Sequence, residues 1–140
     1  MAEVMVSGEI SVPVEQLWKL LLDFGSVGWM QGVSDVKVEG EGVGMVRAIF
    51  AGEGEAILEE LESVDADAQC IGYTISRNNP MPVSDYHALC TAVDLGDGRC
   101  RLDWGCTFSP AGTDEATAVA TVEGMYGVLI GWVREALESD

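Results

Sequence analysis

After Pro110 and Gly112 the apolar residues of this chain change their period, and that change restricts the possible folds more than any other feature. From Thr113 or Asp114, either of which can cap a helix, Val119, Val122, Tyr126, Ile130, Val133 and Leu137 recur at helical spacing. They define one buried stripe ending at about Leu137. Upstream, strand-like segments follow one another with turn residues between them. These are residues 35–39, 44–51, 55–64, 69–76, 86–94 and 100–108. Gly52-Glu53-Gly54 and Gly96-Asp97-Gly98 read as the turns of two hairpins. Before them, residues 3–12 alternate as a first strand, and Pro13 suits the opening turn of a helix, with Ser11 as its expected cap. Val14, Leu17, Trp18, Leu21 and Leu22 form that helix's stripe up to Phe24. Gly25 and Gly28 interrupt it, and a second short helix through Trp29 and Met30 fits the pattern.

A long amphipathic helix that follows a meander must lay its stripe across the sheet's apolar face, which gives a two-layer α+β domain. A meander of this length tends to curl around the helix. No repeat or linker divides the chain, so residues 1–140 are expected to form a single domain.

Composition removes several functions. With 24 acidic and 7 basic residues the net charge is −17, which repels phosphate backbones and anionic lipid surfaces and argues against nucleic-acid binding. Its ordinary role is solubility. Cys70, Cys90, Cys100 and Cys106 form no CxxC pair, and His87 is the one histidine. A zinc site or a Cys–His nucleophile therefore lacks its groups, and the thiols read as small buried apolar side chains. No serine triad, phosphate loop or dinucleotide fingerprint is present, so no metal and no cofactor are expected. Residues 1–8 show neither a basic start nor an apolar signal core, and the apolar run 125–133 is too short to span a bilayer. The expectation is a cytoplasmic protein with reduced thiols and no membrane insertion.

Four local motifs occur in a fixed order: Val12-Pro13-Val14-Glu15-Gln16-Leu17-Trp18, Gly42-Val43-Gly44-Met45-Val46-Arg47, Leu58-Glu59-Glu60-Leu61-Glu62 with Asp65 soon after, and Phe108-Ser109-Pro110-Ala111-Gly112. In that order the chain resembles the helix-grip superfamily of polyketide cyclases, START-type lipid carriers and birch-pollen-allergen-like proteins. Within it the chain is most similar to the plant branch of abscisic-acid receptors and lachrymatory-factor synthase. The resemblance implies a curved seven-stranded antiparallel sheet wrapped around a long C-terminal helix, with a small organic molecule held between them. Two departures argue against a hormone receptor and against a phosphatase partner. Ala51-Gly52-Glu53-Gly54-Glu55 stands where those receptors have a Ser-Gly-Leu-Pro gate, and Asn79-Pro80-Met81-Pro82 where they have a His-Arg-Leu latch.

With the hairpin centred on Glu53, Arg47 lies opposite Glu59 and Ile49 opposite Ile57. Alternation puts Arg47, Ile49, Ile57, Glu59 and Leu61 on one face, and its apolar members turn that face inward. The resemblance implies that Arg47 and Glu59 handle substrate; a purely structural cross-strand ion pair is the alternative. Tyr73 and Tyr86 are expected on the same wall, each filling apolar space and offering one hydrogen bond. Tyr126 faces them from the helix, and Trp29 and Met30 either close the mouth or serve as plain helix packing. Leu102, Trp104, Cys106 and Phe108 point inward and leave Asp103 outside; His87 faces away from the cavity, and Glu123 faces solvent. Gly124, Gly127 and Gly131 either bring the helix close to the sheet or leave room for a ligand.

Three readings stay open. One is a binder of an apolar or amphipathic small molecule, such as a polyketide, lipid or isoprenoid. The second is a cofactor-free cyclase, dehydratase or isomerase in which Glu59 moves a proton and Arg47 steadies an oxyanion. The third is a protein-interaction domain, including a homodimer.

Overall fold

The computed structural model describes residues 1–52 and 54–139. Its elements run β1 (Ala2–Ile10), α1 (Val14–Leu22), β2 (Asp35–Glu39), β3 (Val46–Phe50), β4 (Ile57–Asp65), β5 (Cys70–Arg77), β6 (Val83–Gly96), β7 (Arg99–Pro110) and α2 (Glu115–Glu138). The strands form one open sheet in the order β1-β7-β6-β5-β4-β3-β2, and every pair is antiparallel. The six strands after α1 are thus a plain meander, and the N-terminal strand closes the row beside β7. This is the seven-stranded helix-grip architecture expected from the motifs.

The helix α2 begins where Asp114, in extended conformation, accepts a hydrogen bond from the Thr117 N–H. That cap satisfies one of the amides a helix start leaves unpaired. The buried face of α2 is Ala118, Val122, Tyr126, Ile130 and Val133, and it lies mainly over β1 and β7. Close approach depends on a glycine of the sheet, not of the helix. A Cβ on Gly8 would stand 2.6 Å from Ile130 Cγ2, whereas Gly124, Gly127 and Gly131 point into open space and serve neither expected purpose. Two hydrogen bonds fasten the helix's C-terminal end: Arg134 Nε donates to the Glu9 carbonyl, and the Ser11 N–H donates to the Glu138 carboxylate. By length and composition α2 would suffice to cross a bilayer, and the same composition lets it fill the concave side of the sheet.

Two local expectations need correction. No second helix passes through Trp29 and Met30. That stretch is a chain of turns in which Ser26 N–H bonds to the Asp23 carbonyl and Met30 N–H to the Val27 carbonyl. Phe24 and Val27 plunge into the core and tie the segment down at both ends of Gly25-Ser26. Ser11 does not cap α1: Pro13 occupies that position without a side-chain hydrogen bond, and the Ser11 amide is engaged by Glu138. Glu53, the expected hairpin centre, lies outside the described residues.

Candidate functional site

The pairing of β3 with β4 sets Arg47 opposite Glu59 and Ile49 opposite Ile57. Period-two alternation turns Arg47, Ile49, Glu59 and Leu61 inward, where all four are buried, and Ile57 is half-buried. Arg47 and Glu59 are the buried charged residues of the described chain. Arg47 Nε donates to Glu59 Oε1 at 2.8 Å, and a second guanidinium nitrogen reaches the same oxygen at 2.6 Å. The third nitrogen donates to the Phe24 carbonyl at 2.8 Å, and the guanidinium carbon sits 3.8 Å from the centroid of the Phe24 ring. Every side of Arg47 is therefore taken by protein. Glu59 is different: its Oε2 has no hydrogen-bond partner among the described residues, and its side chain forms part of a cavity wall.

That cavity holds about 230 Å³ between the inner faces of β3–β6, the 30–33 segment and one flank of α2. Its lining is almost wholly apolar: Ile49, Ile57, Ile75, Met81, Met125, Leu129 and Trp132 dominate, with Met30 and Gln31 from the turn segment. The polar exceptions deep inside are Glu59 and three phenols, Tyr73, Tyr86 and Tyr126. The phenols are linked. Trp104 Nε1 donates to the Tyr73 oxygen at 3.1 Å, the Tyr73 and Tyr86 hydroxyls are 3.4 Å apart, and Tyr86 is hydrogen-bonded to Tyr126. An indole N–H can only donate, so it fixes the Tyr73 oxygen as an acceptor and directs its proton elsewhere. Burial pushes all three phenols well above their usual range, so they act as neutral hydrogen-bonding groups and not as phenolates. Burial likewise pushes the Cys90, Cys100 and Cys106 thiols up, which leaves them unreactive.

A backbone irregularity aims Tyr86. Between Ser84 and His87 the β6–β7 register shifts, and Asp85 adopts φ of 50°. Such a bulge adds one residue to a strand and redirects the side chains after it. Val83 and Tyr86 both point inward although three positions apart, and His87 emerges on the outer face, hydrogen-bonded to Glu62 and Asp85. Asp tolerates positive φ better than most residues.

The structure therefore brings Glu59, Met30, Ile49, Ile57, Tyr73, Tyr86 and Tyr126 to one cavity. Three expected members stand elsewhere. Arg47 lies behind Glu59, drawn away by the Phe24 carbonyl and ring, so it positions the carboxylate and does not line the wall. Leu61 is buried in the packed core opposite Tyr73. Trp29 packs edge-on against Trp104 at 6.1 Å between ring centroids, on the α1 side of the domain and not at the mouth. Asp103, His87 and Glu123 face away from the cavity as expected. The sequence reading missed Met125, Leu129 and Trp132, which form a second helical stripe beside Tyr126, and Met81, hidden between two prolines.

Comparison with known proteins bears on this arrangement. Residues 1–138 match the model of the family described as polyketide cyclase / dehydrase and lipid transport. Among solved structures, an uncharacterised protein from Bacillus thuringiensis aligns with a TM-score of 0.87 at 26% identity, over 99% of this chain and 100% of that one. Truncated norcoclaurine synthase from Thalictrum flavum aligns with a TM-score of 0.76 at 14% identity, over 99% and 94% of the two chains. The di-domain aromatase/cyclase BexL of the BE-7585A biosynthetic pathway gives 0.77 at 15% identity, over 99% of this chain and 47% of that one. The last two share the fold. No curated protein sequence matches the chain.

Proposed function

The chain belongs to the polyketide cyclase / dehydrase and lipid transport family, and from that premise we propose that it binds a compact, largely apolar molecule bearing one polar group in the cavity between sheet and α2. The observation that carries this reading is Glu59: a buried carboxylate on the wall of an apolar cavity, with one oxygen paired to Arg47 and the other without a hydrogen-bond partner among the described residues. A buried pair adds little to stability, because desolvation offsets the attraction. A carboxylate with an unpaired oxygen on such a wall favours a ligand that brings a hydrogen-bond donor or an acidic proton. The volume lies below the ~300–1,000 Å³ usual for drug-sized ligands, so the molecule is small.

Native mass spectrometry of freshly purified protein tests the reading. The expected result is a bound small molecule, absent from an Ile57→Trp variant that fills the cavity and retains the fold. A protein that carries no adduct, and that is not thermally stabilised by any of a panel of compact aromatic and isoprenoid alcohols, overturns it.

A second reading, cofactor-free cyclisation, dehydration or isomerisation, is favoured by Glu59 sharing one cavity wall with neutral phenols. Glu59 would take a proton from carbon while a tyrosine hydroxyl donates a hydrogen bond to the developing oxyanion. Glu59→Gln separates the two: turnover lost with binding kept marks an enzyme, and binding lost alone marks a carrier.

A further inference from the structure

Besides the inner cavity, the molecule carries a groove of about 590 Å³ on the convex face of the sheet. Its floor follows one register line across five strands: Met5 of β1 opposes Gly105 of β7, Gly105 opposes Leu89 of β6, Leu89 opposes Gly72 of β5, and Gly72 opposes Ser63 of β4. Large apolar residues thus alternate with glycines. A Cβ on Gly105 would lie 2.9 Å from the Met5 side chain, and one on Gly72 3.1 Å from Leu89 and 2.5 Å from Ser63 Oγ. The missing side chains keep the floor low, and Met5 and Leu89 recline across it. Both remain largely in solvent, at 62% and 52% exposure, on a face whose other positions are mostly polar. The border is acidic: Glu3 and Glu62 line it, and the cation-forming side chain in the lining is His87, held between Glu62 and Asp85 just beyond.

We propose that this groove docks a basic amphipathic helix of another protein. Exposed apolar side chains with flexible Met among them, rimmed by one sign of charge, are what an interaction patch needs. A second copy of this chain does not suit it, because each carries −17 and would bring acid against acid. A helix suits a sheet face better than a strand, since strand addition needs an edge. At about 4.8 Å between strands the line from Met5 to Ser63 is about 19 Å long, the length of a helix of about 12 residues. Apolar side chains on one helical face would settle around Leu89, and Lys or Arg on its flanks would meet Glu3, Glu62 and Asp85. The site stands on the opposite side of the sheet from the inner cavity and is independent of what that cavity binds.

The test uses the full chain, isotopically labelled, and a synthetic peptide of about 14 residues with leucine on one helical face and lysine elsewhere. The expected result is amide shift changes confined to the convex face around Met5, Gly72, Leu89 and Gly105. Affinity should fall at least about tenfold in Met5→Ser or Leu89→Ser and stay unchanged in Glu123→Gln on α2. A scrambled peptide of equal charge should bind at least about tenfold more weakly than the amphipathic one. Equal binding of the two peptides, or shifts scattered over the acidic surface, overturns the proposal in favour of bulk charge. A dimer seen by sedimentation and dissolved by Leu89→Ser overturns it in favour of self-association. Shifts centred on Met125 and Leu129 overturn it in favour of the inner cavity.

Discussion

The concave face of the sheet has two halves that obey the same alternation yet end differently. Over β1 and β7, α2 lies directly on the strands, and Leu102, Phe108, Val122 and Val133 have no exposed surface. Over β3 to β5 the cover is a run of turns and one flank of α2, and a cavity remains. A helix stripe fills a sheet completely only where the sheet lets it approach, and Gly8 permits that on β1. On the other half the inward positions carry Arg47, Glu59 and Tyr73: Arg47 is bonded to one oxygen of Glu59 and to the Phe24 carbonyl and lies over the Tyr73 ring, whose hydroxyl is bonded to Trp104 and Tyr86. Polar groups tied to each other keep a space open that apolar side chains would collapse. One half is held by packing and the other by a network.

That contrast can be broken by experiment. The largest effect is expected from Arg47→Ala, which strands Glu59 and the Phe24 carbonyl in a buried wall and should cost about 3–5 kcal/mol in urea unfolding. A cost below about 1 kcal/mol would show that the network does not hold the hollow half. Leu102→Ala, in the packed half, should cost about 3 kcal/mol by the same measurement, and Leu129→Ala, on the cavity wall, about 1 kcal/mol. Equal costs would mean that both halves are equally packed. Tyr126→Phe removes the partner of Tyr86 without changing shape and should cost about 1–2 kcal/mol. The smallest effect lies outside both halves and serves as a control. The hydrogen bond that the His87 ring donates to Glu62 raises the pKa of His87 above its ordinary value. Its contribution is fully present below about pH 6.5 and is lost as pH rises through the higher folded value. The melting temperature of wild type relative to His87→Gln should therefore shrink slightly from pH 6 to pH 9; no change would show that this exposed bridge is inert.

Much of this was legible from spacing alone. The Arg47–Glu59 register followed from the position of one turn, and the stripe of α2 from its period, because both depend on local repeat geometry. Arg47's direction did not, since its second partner, the Phe24 carbonyl, is 23 residues away in a segment without regular structure. Trp29 was misplaced for the same reason. The bulge at Asp85 left a trace that strand reasoning passed over: Val83 and Tyr86 are both apolar at an odd separation, which only an extra residue reconciles. Met125, Leu129 and Trp132 were hidden by abundance, because a helix apolar on two faces shows no sharp boundary between what packs and what lines a space.

Because β1 and β2 do not meet, the sheet has two borders, and any border of unpaired amides can recruit a strand from a neighbouring molecule. The two are guarded by different means. β2 is short and carries Asp35, Lys37 and Glu39, so an approaching strand meets alternating charge. β1 is long and relies on α2, whose Arg134 occupies the Glu9 carbonyl while Glu138 occupies the Ser11 amide. The final turns of that helix thus act as a stopper at one end of the β1 border, where an incoming strand would have to displace two hydrogen bonds before it could pair.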